Sequence, residues 1–578
     1  MRPLALFAAC IAAAAPAVSG LPSFTYTLPQ SADVGSQALV LTAQGLLNRQ
    51  SSVLWLYEPV FWTYPNATYY FAQDYLPRAK GFAFTPLAGD FCALAEGSGL
   101  LAGAGGPVAG LALYDASALD ATRWLAVTAS ALQGLLPVSP AQLAQLPCLQ
   151  GLPVAQDFSQ PAARGWATNL AAYEWARLHL LPQCSNTSVF SAGQSYSDAT
   201  ETVYLGSDPA VLIGLDGAVA QRMLVFNLSP DTQKYPAQAT EFQALVQASH
   251  AASPDTVPSL YGWAEPEPAM TMATSKGGGA VLCDGAPNLS FWAHVAAQPP
   301  ALPFHSNGVA LQTEHVYIAW QTNEGDTPKI AAGLQAGLWL DPARGSIPMA
   351  WGVNPLLLDI APGLMEYYAA TATQNDTFFS ATAGAGYAYP SHMPPASFAA
   401  YVRRAAERIG RLTPGWPPYS WEVDIWDTNS LLNASSFAAL AGPAVGMLSM
   451  QPEALAGTNS VLPGGTPLVI TSGKLWYPFG QGSCPQDEVG AMVQAIEELV
   501  RGIPTRPVFA LVYGVEYDTR CSNRSMFDFA HAVQGRMGSG NATAGMPPLT
   551  VVGMQDMVRL AREAAAAGAG GGEGAQQE

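Results

Sequence analysis

Three acidic residues in the C-terminal half of the chain stand where a catalyst could use them. Glu324 and Asp326 flank Gly325 in QTNEGDTPK, directly after the apolar run Val316–Trp320, and Asp427 follows the run Trp421–Trp426. Paired carboxyl groups are what glycosidic hydrolysis requires. One is protonated and delivers a proton to the leaving oxygen, and the other is ionised and acts as nucleophile or as base for water. A second stretch, ATAGAGYAYPSH at residues 381–392, supplies Gly384 and Gly386, Tyr387 and Tyr389, Pro390 and His392. Glycine tolerates positive φ and proline fixes it, so such a loop can bend sharply and then hold two tyrosine rings still. A pyranose offers hydroxyls to carboxylates and a C–H face to aromatic rings. Glu324, Asp326 and Asp427 are therefore candidates for acid, base or nucleophile. Tyr387, Tyr389, Gly384, Gly386 and His392 are candidates for contacts to a carbohydrate substrate.

Each residue also has a plainer explanation. An Asx turn accounts for Asp326, a helix cap near Leu431 accounts for Asp427, and packing accounts for the tyrosines. His392 before MPP suits a hydrogen-bonded structural role. Glu516 and Asp518 stand close to Cys521, within reach of a disulfide-tied loop. Retaining enzymes hold their carboxyls about 5 Å apart and inverting ones about 6.5–9.5 Å apart. Two acids on one loop make a poor pair, so Asp427 is expected to partner one of them. Two other readings stay open: a carbohydrate-binding glycoprotein without turnover, and a metal-dependent hydrolase such as a deacetylase using Asp326, Asp427 and His392. There is no G-x-S-x-G, H-E-x-x-H or C-x-x-C, and SKGGGA at 275–280 lacks the spacing of a phosphate loop. No cofactor is expected.

The elements that must position these residues recur as short buried runs. Strands are predicted at Val316–Trp320, Pro348–Val353, Phe378–Ala383, Trp421–Trp426, Val445–Met450, Pro467–Thr471, Val508–Gly514 and Leu549–Val552. Helical patterns such as EVGAMVQAIEELVRG lie between most of them. Eight such strands predict a (β/α)8-like barrel of about 250 residues, with its site at the C-terminal ends of the strands. Upstream, VLTAQGLLNR and SSVLWLYE predict a helix and a strand, and VAGLALYDAS with ALDATRWLAVTASALQGLL a β-α unit. The expected fold is α/β, with N-terminal α/β domains before the barrel. Its boundaries are a signal at 1–20, an N-terminal domain at 21–150, a second mixed region at 151–305, the barrel at 306–563 and a disordered tail at 564–578. The Pro- and Gln-rich stretch Pro137–Pro161 is expected to separate the first two.

Composition narrows the setting. Of 578 residues 49% are apolar and 11% charged, so the chain can build several cores. A net charge of −18 with only 24 Lys and Arg argues against nucleic acid. Arg2, the apolar run to Val18 and small residues at 17–20 read as a secretory signal, too short for a membrane anchor. Export predicts N-glycans at Asn66, Asn186, Asn227, Asn288, Asn375, Asn433, Asn523 and Asn541, eight of the fifteen asparagines. With Cys10 removed, six cysteines allow three disulfides, for which Cys148–Cys184 and Cys484–Cys521 are the expected pairs.

The segment Gly384–Pro390 matches letter for letter the signature naming the GxGYxYP family of glycoside hydrolases. The stretch from Asp341 into it resembles that family's approach to its signature, and VLTAQGLLNR and ALQGLLPVSP resemble its N-terminal domains. The resemblance covers most of residues 30–563. It implies α/β domains followed by a barrel-like domain, secretion and carbohydrate processing. Many members carry an S-D-G-D-N-like turn where this chain has Thr322 to Thr327. Glu324 and Asp326 keep the two acids, while Thr327 replaces the asparagine. The family lends no catalytic pair.

Overall fold

The computed structural model describes residues 22–29, 32–57, 66–102, 106–184, 188–193, 195–196, 203–204, 212–252, 260–275, 279–283, 285–298, 301–322, 328–380, 386–413, 419–422, 445–449, 460–462, 466–470, 487–502, 506–514, 525–538 and 547–570. The expected signal at 1–20 lies outside them. Parallel strands dominate. A first sheet runs β2-β1-β3 from β1 (Ser23–Thr27), β2 (Leu54–Tyr57) and β3 (Phe84–Leu87), and a second runs β5-β4-β6 from β4 (Gly110–Leu113), β5 (Leu135–Val138) and β6 (Val154–Asp157). Because β5 and β6 flank β4, the Pro- and Gln-rich stretch 137–161 is no separator. Pro137 sits in a strand that pairs with Ala112.

The middle region places β7 (Val189–Ala192), β10 (Leu224–Phe226), β11 (Leu260–Trp263) and β12 (Ala280–Val281) in the order β10-β7-β11-β12, beside a small hairpin of β8 (Ser195–Tyr196) and β9 (Val203–Tyr204). The helix Val34–Leu47 starts at Asp33, whose carboxylate accepts from the Ser36 N–H at 2.8 Å. At and just past its C-terminal end stand Gln44, Asn48 and Arg49, whose side chains fasten the first region to the middle one. Gln44 donates to Asn288 Oδ1 at 2.7 Å, Asn48 to Ser290 Oγ at 2.9 Å, and Arg49 to the carbonyls of Ala131 and Val219 at 2.7 and 3.0 Å. Burial, and then Arg222, push the Arg49 guanidinium down to about 10.

Three of the predicted glycan sites fall on described side chains, and all three use the amide nitrogen internally. Asn227 Nδ2 donates to Asp120, Asn288 Nδ2 to the Leu56 carbonyl and Asn375 Nδ2 to the Gly345 carbonyl. Asn227 and Asn288 are also fully buried. The other five side chains lie outside the described residues.

All eight predicted C-terminal strands are present: β13 (Val316–Thr322), β14 (Met349–Val353), β15 (Asp376–Ser380), β16 (Tyr419–Glu422), β17 (Val445–Ser449), β19 (Thr466–Ile470), β20 (Val508–Gly514) and β21 (Leu549–Val551). A short antiparallel strand, β18 (Ser460–Leu462), joins β19. Their order is β18-β19-β17-β16-β15-β14-β13-β20 with β21 against β13, and among the described residues these ladders do not close into a (β/α)8 barrel. The seventh parallel strand pairs with the first, the eighth also pairs with the first, and among the described residues no ladder joins β19 to β20.

Side-chain alternation gives a reason. Val316, Ile318 and Trp320 face the main core, while Tyr317 and Ala319 face a second core with Ala350, Phe379, Phe509 and Leu511. That second face is filled by Met554, Met557, Val558, Leu560 and Ala561 of the C-terminal helix Met554–Gly570, which packs across β13, β15, β16 and β19. An eight-stranded barrel interior has room for side chains only, whereas a helix is about 10 Å across. A helix therefore covers this face of the sheet. The same helix runs through residues 564–570, part of the expected disordered tail.

Cys92 pairs with Cys148, and Cys184 is a free buried thiol, so the expected Cys148–Cys184 bridge is corrected. Cys484 and Cys521 lie outside the described residues. No helix among them is long and apolar enough to cross a membrane.

Candidate functional site

Parallel pairing puts the ends of successive strands on one edge. Gln321 is level with Ala350, Val353 with Ser380, and Ser380 with Trp421. The segments leaving β13, β15 and β16 therefore depart from the same edge, the outer two about 14 Å apart at roughly 4.8 Å per strand. These are the segments that carry Glu324 and Asp326, the glycine–tyrosine stretch, and Asp427. Glu324, Asp326, Asp427 and Gly384 lie outside the described residues. The end of β13 is pinned, because the Gly352 N–H donates to Thr322 Oγ1 at 3.0 Å.

The described part of the glycine–tyrosine stretch is held from two sides. Gly386 has φ of 138°, a conformation that disfavours any side chain, and its carbonyl accepts from the Tyr401 hydroxyl at 2.7 Å. Tyr387 pairs as an antiparallel bridge with Ala280 of the middle region, its N–H donating at 2.7 Å and its carbonyl accepting at 2.8 Å. The Tyr387 hydroxyl donates to Glu267, and the Tyr389 N–H donates to Ser275 Oγ at 2.8 Å. Both tyrosines are buried, with ring centroids 6.3 Å apart. His392 is exposed in a short 3-10 turn, its N–H donating to the Tyr389 carbonyl at 2.9 Å and its ring 6.0 Å from that of Tyr389.

The same edge strand reaches the other loop. Leu282 forms a parallel bridge with Pro328, and the Lys329 N–H donates to the Leu282 carbonyl at 3.2 Å. Residues 280–282 thus hold Tyr387 on one side and the chain just past Asp326 on the other.

Residues 314–523 match the family model described as "GxGYxYP putative glycoside hydrolase C-terminal domain". The chain as a whole is similar in fold to a crystal structure described as a "putative hydrolase" from Bacteroides thetaiotaomicron. Identity is 14%, the TM-score is 0.68, and the match covers 94% of this chain and 95% of that one. No curated protein matches in sequence.

Within the matched residues, Asp376 opens β15 at the opposite edge. It takes hydrogen bonds from Trp351 Nε1 at 2.8 Å and the Thr373 N–H at 2.7 Å and an ion pair from Arg344. That carboxylate ties strands together away from the candidate site. Among the described residues, no group of three or more His, Cys, Asp or Glu could hold a metal ion. Sequence reasoning missed Glu267 and Ser275. Glu267 lies 120 residues from Tyr387, and no periodicity in EPEPAM marks it as a partner.

Proposed function

We propose that this chain is an exported glycoside hydrolase whose site lies at the C-terminal edge of the parallel sheet, at the seam with the middle region. The match of residues 314–523 to the GxGYxYP domain supports the reaction class. The observation that carries the location is the stretch Ala280–Leu282, bonded to Tyr387 and to Pro328 at once. Glu324 and Asp326 follow β13 and Asp427 follows β16. In this reading one of the first two works with Asp427 as the proton donor and base or nucleophile pair. Gly384, Gly386, Tyr387, Tyr389 and His392 form the wall against which the sugar lies. The Tyr387 hydroxyl is already engaged by Glu267, so that ring contributes its apolar face.

The test is a panel of glycans incubated with the purified protein, reading released sugar and binding separately. Asp326→Asn and Asp427→Asn are expected to lower turnover by about 10²–10⁴-fold while binding persists. Binding with no sugar released by the wild type would replace this reading with a carbohydrate-binding glycoprotein.

A further inference from the structure

The middle region does more than abut the GxGYxYP domain. Glu267 stands in the first turn of the helix Glu267–Ser275, and both ends of that helix address the signature stretch. At one end the carboxylate accepts from the Tyr387 hydroxyl, and at the other the buried Ser275 hydroxyl accepts from the Tyr389 N–H at 2.8 Å. The chain then turns through Gly279, where φ is +108° and a Cβ would lie 3.2 Å from the Tyr387 carbonyl oxygen, and enters β12 to pair with Tyr387. Side chain and backbone of one tyrosine are therefore fixed by a single helix–strand unit from outside the domain that carries the signature. Because Leu282 of that unit also bonds the chain at Pro328 and Lys329, fixing Tyr387 sets the spacing between the two loops.

We infer that Glu267 is a positioning residue of the candidate site, acting through Tyr387 to lock the glycine–tyrosine loop against the edge strand at Ala280–Leu282. For its bearing on turnover, the inference rests on the hydrolase reading above. The hydrogen-bonding part stands without it. A phenol held by a carboxylate cannot swing out of the seam without giving up that bond, and charge-assisted hydrogen bonds are the stronger kind.

The experiment is amide hydrogen exchange on the full chain, following peptides that cover 279–283 and 386–389. It compares wild type, Glu267→Ala, Glu267→Gln, Tyr387→Phe and the Glu267→Ala/Tyr387→Phe double variant. Glu267→Ala and Tyr387→Phe are each expected to speed exchange of the Tyr387 and Ala280 amides about tenfold or more. The double variant should be no faster than either. Glu267→Gln, whose carbonyl still accepts from the phenol, should restore slow exchange. Unchanged exchange in Glu267→Ala, or additive acceleration in the double variant, would overturn the assignment. Should Glu267→Ala fail to fold, Tyr387→Phe against Glu267→Gln decides the same point. On any glycan that the wild type cleaves, Glu267→Ala should lower kcat with KM little changed, and Glu267→Gln should recover most of it. If the wild type cleaves none, the hydrolase reading falls while the exchange data still judge the anchor.

Discussion

Asp216 is the most consequential buried carboxyl among the described residues. Its Oδ2 accepts from the Ser290 N–H at 2.8 Å and the Ser290 hydroxyl at 2.6 Å, while Oδ1 has no hydrogen-bond partner among the described residues. Burial pushes its pKa up, against the opposing pull of the Ser290 hydrogen bonds. With the folded pKa above the ordinary carboxylate value of about 3.9, the stability linked to this group is full below that value. It is lost as pH rises through the folded pKa. Asp216→Asn keeps an oxygen for Ser290 and removes the titration. Its Tm relative to wild type is therefore expected to climb from pH 4 to pH 8. Parallel Tm profiles for the two proteins would show that Asp216 is ionised in the fold. Nothing in IGLDGAV announces this role, because burial is set by the helix Val34–Leu47 crossing from a remote part of the chain. Tyr387 and Tyr389 were readable as a stiff aromatic loop from their flanking glycines and proline. Their burial and their partner Glu267 were not, since neither is written in local pattern.

Strands were the most readable elements, because short apolar runs between turn-forming residues follow from local chemistry. All eight predicted C-terminal runs pair in one sheet. Strand order was not readable, since it depends on which strand meets which and on a terminal helix that covers one face. The limits of local pattern show at Gly262 in the middle of β11. Its φ is +91°, and a Cβ there would stand 2.1 Å from the Ser191 carbonyl oxygen of β7. Gly262→Ala should lose about 1–2 kcal/mol from the backbone conformation alone. It should then lose more, because a backbone carbonyl cannot step aside without moving the strand. Gly81, with φ of +72° and nothing within 4 Å of its would-be Cβ, isolates the first contribution. In urea denaturation Gly81→Ala should show only the conformational loss and Gly262→Ala clearly more. Equal losses would mean that β7 and β11 have slack.

The regions named from sequence are not independent bodies in the fold. One continuous apolar core runs from Tyr26 through Trp55, Phe226 and Trp292 to Trp351, Tyr367 and Met537, and the polar joints of Gln44, Asn48 and Arg49 cross the first seam as Glu267 and Ser275 cross the second. Linker-like composition at 137–161 misled on this point, because proline and glutamine also suit edge strands and capped short helices such as Pro140–Gln145. The disulfide offers a way to measure the coupling. Cys92 and Cys148 lie 56 residues apart, both in the first region, and a loop of that length is worth about 4 kcal/mol in the chain-entropy account. Cys184 is a poor target for thiol reagents, since burial pushes its thiol up to about 12. Cys92→Ser/Cys148→Ser should therefore lower the unfolding midpoint, whereas Cys184→Ser should not change the response to reductant. If the core transmits the loss, tryptophan fluorescence and far-UV circular dichroism will shift together as one transition. A separate early transition confined to the first region would show that the seam at Gln44 to Arg49 is too weak to couple it to the rest.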